Sequence, residues 1–268
     1  MVKPKKVIII ARFFQASGLS SFLFFILKWW HGGRFIRIVN YHGTEADYRE
    51  SFESQLVYYK KYYQPMSLQD VERVFDRGGW NYSKPGIILT FDDGLKSNYD
   101  VAVPLLEKHD FTGMFFISSG LIREDRNLGR YMSWDELKNL SVNHVVGCHT
   151  HTHMRLKKGI DDVTLEKEIY QSKKLIESHL GESIDSFCWV GGEKWSYSSL
   201  AALKIREAGY KYSFMTNCYP VTCRSSRLQL QRTNIEANWP LFLVNFYLCG
   251  LVDLVYNKKR RYVNTITS

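Results

Sequence analysis

Short apolar runs alternate with amphipathic stretches along most of this chain. The apolar, β-branched runs predict strands at 36–41, 86–91, 113–118, 144–149, 186–190, 212–216 and 228–235. The amphipathic stretches predict helices at 50–63, 67–77, 98–109, 133–140, 163–180 and 197–208. This alternation is typical of parallel strands joined by helical crossovers. We therefore predict an α/β barrel whose active residues follow the carboxyl ends of its strands.

The two ends of the chain differ from its body in charge. Residues 1–44 carry seven Lys or Arg and no acid, and residues 237–268 carry four basic residues and one acid. Of the net charge of +9, this leaves −1 for residues 45–236, which argues against a nucleic-acid protein with a basic reading face. We predict an N-terminal segment over 1–34, a catalytic domain over 35–236 and a C-terminal segment over 237–268.

Both end segments are also apolar, which raises the question of a membrane. The unbroken run at 22–27 is much shorter than the roughly 20 residues of a spanning helix, and no export signal is convincing. Aromatic residues beside basic ones suit a helix lying on an anionic membrane, whereas the alternative is packing against the barrel. The five cysteines, an odd number, favour reduced thiols. We predict a cytoplasmic protein, at the inner membrane surface if the ends bind lipid.

The first candidate for chemistry is an acidic doublet at the end of a predicted strand. Residues 90–94 read Thr-Phe-Asp-Asp-Gly and follow the apolar run 87–89. Successive side chains of an extended chain point in opposite directions, so Asp92 and Asp93 should have different roles. One can bind a metal while the other accepts a proton. An ordinary Asp-Asp-Gly turn is the alternative.

The second candidate is a histidine cluster, His-Thr-His-Thr-His at 149–153, which follows a strand-like run. In extended form His149, His151 and His153 would share one face, so a three-histidine site is one interpretation. Two imidazoles and a carboxylate are the other, and this set leaves a position free for water. A bound divalent ion lowers the pKa of its water towards about 7. The sequence predicts a hydrolytic metal site, with zinc as the favoured ion.

The doublet followed by His-Thr-x-x-His resembles the polysaccharide deacetylases of the NodB-homology group. The resemblance extends over roughly residues 35 to 235. It implies a distorted (β/α)7–8 barrel and an N-acetylated saccharide as substrate. It also implies that Asp92 is the general base and that Asp93, His149 and His153 hold the metal, with His151 at a variable position.

The general acid departs from the commonest form of that family, which places a histidine in a late Leu-x-His motif. The last histidine here is His179. Instead, the strand at 36–41 runs into His42, which resembles the permuted poly-N-acetylglucosamine deacetylase branch. We predict His42 as the general acid, the alternative being a lone histidine that ends a strand.

The third family motif, Arg or an aromatic residue before Pro-Tyr-Gly, is altered. Residues 187–193 read Phe-Cys-Trp-Val-Gly-Gly-Glu and contain no Pro-Tyr pair. The amides of Gly191 and Gly192 could still stabilise an oxyanion. Trp189 and Trp195 could stack on a sugar, the alternative being that these aromatic rings belong to the core. Arg232 either orients the base or is a solvated surface arginine. The altered motif leaves open a substrate other than the polymer usual for this branch.

Together these features predict a metal-dependent hydrolase that removes an N-acetyl group from a saccharide of a cell-envelope polysaccharide or glycolipid. One alternative is a non-catalytic glycan-binding protein on the same scaffold. Another is an amidohydrolase that acts on a non-sugar amide. The presence of the complete catalytic and metal-binding set favours the enzyme.

Overall fold

The computed structural model describes residues 5–77, 79–122 and 129–268. The strands in these ranges are β1 (Ile36–Tyr41), β2 (Gln64–Pro65), β3 (Gly86–Phe91), β4 (Gly113–Ile117), β5 (Val145–Cys148), β6 (Ser186–Cys188), β7 (Tyr212–Met215), β8 (Leu230–Gln231) and β9 (Thr233–Asn234). The α-helices are α1 (Lys5–Ala16), α2 (Leu19–Trp30), α3 (Arg49–Tyr62), α4 (Leu68–Arg77), α5 (Val103–Lys108), α6 (Trp134–Ser141), α7 (Asp162–Glu166), α8 (Ser172–Leu180), α9 (Ser199–Glu207), α10 (Leu241–Leu248), α11 (Leu251–Val255) and α12 (Asn257–Ile266).

The strands form one parallel sheet that nearly closes on itself. Its order is β8-β7-β6-β5-β4-β3-β1-β9, with β2 paired to β3, and every named strand pair is parallel. The two ends of this order, β8 and β9, are joined in sequence through Arg232. The predicted (β/α) barrel is therefore confirmed. The single strand predicted at 228–235 is instead interrupted at Arg232, whose side chain turns into the barrel.

Alternating side chains fill the two sides of the barrel wall. Along β3, Ile88 packs in the inner apolar cluster, whereas Ile87 and Leu89 pack in the larger cluster between strands and helices. The same alternation carries Thr90 and Asp92 to the inner side, because side chains of a strand have a period of two. The strand that fills the core thus delivers Asp92 to the carboxyl end of the barrel.

The end segments fold into helices that pack on the barrel by one face. The Phe14 ring of α1 lies 5.2 Å from that of Phe246 in α10, and Phe24 of α2 contacts Tyr63. A buried ion pair of 2.7 Å between Arg37 and Asp253 joins β1 to α11. No single helix in the described ranges has the length and apolarity to cross a membrane. Only α1 and α2 together meet that test, and they are bent by 78°.

Candidate active site

Asp92 lies at the carboxyl end of β3 and is held by a buried arginine. Its carboxylate oxygens accept hydrogen bonds of 2.7 and 2.8 Å from the two terminal nitrogens of Arg232. The guanidinium also donates to Thr90 Oγ1 and Asn40 Oδ1, at 3.0 and 3.1 Å. Arg232 is fully buried, so the interpretation as a solvated surface arginine is wrong. Its side chain lies beneath the base and not in a position to bind substrate directly.

This arrangement keeps Asp92 ionised. Burial raises the pKa of the Asp92 carboxyl, but the charges of Arg232 and His149 outweigh burial and hold that pKa below its usual range. The paired guanidinium fixes the plane of the carboxylate, since two parallel N–H···O bonds allow one orientation. Asp92 is thus an oriented, charged proton acceptor.

A second cluster beside Asp92 has the composition and spacing of a metal site. Asp93 Oδ1 lies 3.6 Å from His149 Nε2 and 3.0 Å from His153 Nε2. Zinc bonds of about 2.0–2.2 Å would separate tetrahedral ligand atoms by roughly 3.4 Å. Asp93 Oδ1 is also buried and makes no hydrogen bond of normal geometry to any described residue. A buried carboxylate oxygen facing two imidazole nitrogens fits a divalent cation.

The electrostatics of His149 and Asp93 agree with ligand roles. Burial lowers the pKa of His149, and its Nδ1 lies 2.9 Å from the carbonyl oxygen of Cys188. This carbonyl can only accept, so Nδ1 carries the proton, and the lone pair of Nε2, on the side of Asp93, is free to bind an ion. Burial raises the pKa of Asp93, but the lowering by His153 and His149 is larger. The pKa of Asp93 therefore lies below its usual value, and the carboxylate is charged.

Asp92, His149 and Cys188 form another group close enough to hold an ion. Two observations argue against that use. Both oxygens of Asp92 already accept from Arg232, and Arg232 Nη2 lies 2.7 Å from Cys188 Sγ. A guanidinium at this position would repel a cation. The sequence did not predict the contact between Cys188 and Arg232, because these residues are 44 positions apart and meet only in the folded barrel.

Three residues of the acidic doublet and the histidine loop have left-handed backbone conformations. Asp93, Thr150 and His153 have φ values of 74°, 65° and 60°. This left-handed conformation costs non-glycine residues roughly 1–2 kcal/mol each. Buried Glu168 stabilises the loop by accepting hydrogen bonds from the amides of His151 and Thr152, both at 2.9 Å.

The conformation of the histidine loop also decides between the two interpretations of the histidine cluster. His151 Nδ1 lies 2.9 Å from Ser119 Oγ, outside the group formed by Asp93, His149 and His153. The three-histidine interpretation, which required an extended chain, is therefore wrong. One carboxylate and two imidazoles converge instead.

A cavity of about 470 Å³ lies beside the base and the two histidines. His42, at the end of β1, lines it together with Asp92, His149 and His153. The predicted acid, the predicted base and the two histidine ligands thus line one cavity, and Asp93 lies against both histidines.

Trp189 lies in the wall of this cavity and is only 1% exposed. Its indole N–H donates to Ser213 Oγ at 2.8 Å. Because neither face of the ring is open to solvent, Trp189 supports the wall and its predicted stacking on a sugar is wrong.

The altered third motif forms the wall beside Trp189. Gly191 has a φ of 82°, and a Cβ there would lie 2.8 Å from Arg155 Nε, so glycine fits both the backbone and the space. The Gly192 amide donates to Glu193 Oε2 at 3.2 Å, and Arg155 Nε lies 3.5 Å from the same oxygen. In this arrangement the Gly192 amide has a partner, which leaves the Gly191 amide as the motif's remaining oxyanion candidate.

The C-terminal segment contributes two residues to the cavity lining that were not identified from the sequence. Lys259 of α12 and Tyr256, which precedes it, line the same cavity. Lys259 Nζ donates to the carbonyl oxygens of Gly192 and Thr216, at 2.5 and 3.2 Å. No motif marks these positions, since a charged residue on an amphipathic helix is normally solvated.

Comparisons with known proteins bear on the family and the fold of the chain. A family model described as polysaccharide deacetylase matches residues 80–213, which is half of the chain. A poly-β-1,6-N-acetyl-D-glucosamine N-deacetylase of Staphylococcus aureus is 24% identical over 234 residues, covering 83% of this chain and 75% of that protein.

Two solved structures share the fold. A Streptococcus pyogenes deacetylase, PplD, in complex with acetate has a TM-score of 0.68 at 22% identity, covering 80% of this chain and 98% of its own. IcaB from Ammonifex degensii has a TM-score of 0.63 at 21% identity, covering 82% and 98%.

Proposed function

The chain belongs to the polysaccharide deacetylase family and is an amide-hydrolysing enzyme, and from this premise we propose that it removes N-acetyl groups from a cell-envelope polysaccharide or glycolipid. The observation that carries the proposal is that Asp92, His149 and His153 line one cavity and that Asp93 contacts both histidines. The name of the staphylococcal relative, which specifies an N-acetylglucosamine polymer, supports the class of substrate.

The residues of the chain divide the reaction between them. Asp92, held by Arg232, accepts a proton from the water that attacks the acetyl carbon. His42 donates a proton to the amide nitrogen as the C–N bond breaks. The Gly191 amide, in the cavity wall, is the protein's donor for the carbonyl oxygen. Acetate and a free sugar amine are the products.

A divalent ion would be held by Asp93, His149 and His153, and zinc suits this set of donors. When bound, it supplies a Lewis acid that acidifies water and polarises the amide carbonyl.

We expect the purified protein to contain about one equivalent of a divalent metal and to lose activity on chelation. Asp93→Ala should abolish stoichiometric binding, because two imidazoles alone provide too few ligands. Metal content is measured by elemental analysis after dialysis. Asp100→Ala, which removes an exposed carboxylate from a surface ion pair, is the control. Full metal retention by Asp93→Ala would contradict the assignment.

The proposed activity is tested by acetate release from a panel of N-acetylated oligosaccharides. A non-catalytic glycan-binding protein would bind metal and saccharide without releasing acetate. An amidohydrolase for other substrates would cleave simple N-acetyl amides and leave the saccharides intact. Release of acetate from saccharides alone supports the proposal.

We also propose that the enzyme works at the inner surface of a membrane. The outward face of α2 exposes large apolar side chains, with Phe25, Trp29 and Trp30 at 64, 73 and 75%. Beside this face is a cavity of about 750 Å³, lined by Trp30, Arg34 and Arg224 and by no carboxylate from the described residues. Exposed aromatic rings next to basic groups are the composition of an interfacial helix on anionic lipid.

Replacement of both tryptophans, Trp29→Ala with Trp30→Ala, should weaken binding to vesicles of anionic phospholipid by about tenfold or more, since each indole removes apolar area from water. Binding is measured by vesicle flotation. Val163→Ala, at a residue that is 81% exposed on α7, is the matched control. Equal flotation of the double variant and the native protein would refute the membrane proposal.

A further inference from the structure

Lys259 brings a positive charge into the catalytic cavity without an opposite charge to pair with it. Its ammonium group donates to two carbonyl oxygens and lies 4.4 Å from the Tyr256 ring centroid. It forms no ion pair with any described residue. Burial lowers the pKa of Lys259 to about 8. Burying a cation without an ion-pair partner is unfavourable. A lysine at such a position in a binding cavity is therefore a candidate to pair with an anionic group of the ligand.

The carboxylates in and beside the cavity already have interaction partners other than Lys259. Asp92 is paired with Arg232, and Asp93 faces the two histidines of the metal cluster. Glu193 accepts from Ser196 Oγ at 2.8 Å and from the Gly192 amide, and Arg155 lies 3.5 Å away. None of these carboxylates forms a direct ion pair with Lys259, and Glu193 stabilises its charge only over a longer distance.

The geometry of Lys259 leaves part of its hydrogen-bonding capacity for a ligand. An ammonium group has three N–H donors, and the two carbonyl oxygens of Gly192 and Thr216 use two of them. The carbonyls fix the nitrogen beside Gly192 and Thr216. The remaining N–H of the ammonium group is available to a substrate in the cavity.

We propose that Lys259 forms a subsite for an anionic group of the substrate, so that the acetylated sugar belongs to an acidic glycan or a phosphorylated glycolipid. This inference rests on the proposed deacetylase function. Its chemistry is that of anionic oxygens, which a neighbouring hexuronic acid or a phosphate ester can supply. The subsite lies on the C-terminal helix, outside the matched residues 80–213.

The test compares matched charged and neutral substrates. One pair is an N-acetylglucosamine oligosaccharide with an adjacent hexuronic acid, as the free acid and as its methyl ester. The other pair is an N-acetylglucosamine oligomer with and without a phosphate ester at its reducing end. We expect the native enzyme to have a higher kcat/KM for the charged member of at least one pair, by about tenfold or more. The responding pair distinguishes carboxylate from phosphate.

Variants then assign the preference to one side chain. Lys259→Met and Lys259→Gln should bring the charged-to-neutral ratio of kcat/KM close to one, mainly through KM, whereas Lys259→Arg should retain most of it. Lys258→Met removes an exposed lysine from the preceding position and should leave the ratio unchanged. Melting temperatures of all four variants separate loss of binding from loss of folding.

Three results would overturn the subsite. One is a ratio near one for the native enzyme with both pairs. Another is a preference that survives in folded Lys259→Met and Lys259→Gln proteins. In both cases acetate release would still support the proposed function. Acetate release from no substrate of either pair would overturn the deacetylase proposal together with the subsite.

Discussion

Replacing Asp92 by Asn is expected to lower the rate of acetate release by about 10²–10⁴-fold, the usual contribution of a positioned general base. The amide cannot accept the proton of the attacking water, although its size matches that of the carboxylate. The effect should fall on kcat, because the cavity walls that bind substrate remain unchanged. Single-turnover and steady-state rates with one N-acetylated oligosaccharide measure it.

The same variant should keep its metal. Asp93, His149 and His153 hold the ion, and Asp92 lies 4.0 Å from His149 Nε2 on the side of Arg232. Asp47→Asn, at an exposed acid next to α3, is the control for a change of charge alone. An Asp92→Asn protein with a full complement of metal and activity within tenfold of native would show that another group accepts the proton.

Replacing Arg232 by Met is expected to lower the free energy of unfolding by about 3–5 kcal/mol, the cost of leaving a buried carboxylate without its partner. Asp92 is 3% exposed and Arg232 is fully buried, so water cannot readily take the place of the guanidinium. Asn40 and Thr90 would lose a donor at the same time. Denaturant unfolding measures the change.

A double variant separates the ion pair from simple packing. Asp92→Asn combined with Arg232→Met removes both charges, so it should be less destabilised than the two single changes added together. Arg227→Met is the matched surface control. Its guanidinium pairs with exposed Asp76, and such pairs contribute about 0–1 kcal/mol. Strict additivity in the double variant would mean that the buried pair contributes no coupling.

The core of the fold was predictable because its signals are local. Apolar strands with a period of two and helices with an amphipathic face lie close to their predicted positions, as in β3 and α3. The same period explains why Asp92 and Asp93 differ: Asp92 continues the inner face of β3, and Asp93 begins the turn. The family resemblance, and not the spacing alone, assigned Asp93, His149 and His153 as metal ligands, and the structure places these three side chains together.

The tertiary structure decided what each charged side chain meets. From the sequence, Arg232 was either a residue that orients the base or a solvated surface arginine. Only the closing of the barrel between β8 and β9 places its guanidinium under Asp92. It could not separate three histidines from two, because the left-handed residues of the loop are stabilised by distant Glu168.

Lys259 illustrates the same limit over a longer distance. Its position on a basic, amphipathic helix predicts solvent exposure, but packing of α12 on the barrel brings its ammonium group to Gly192, which is 67 residues away in sequence. The sequence alone determined the alternation of strands and helices, the acidic doublet and the histidine motif, because these depend on residues that are close together along the chain. The partners of Arg232 and Lys259 depended on burial, which is a property of the assembled fold.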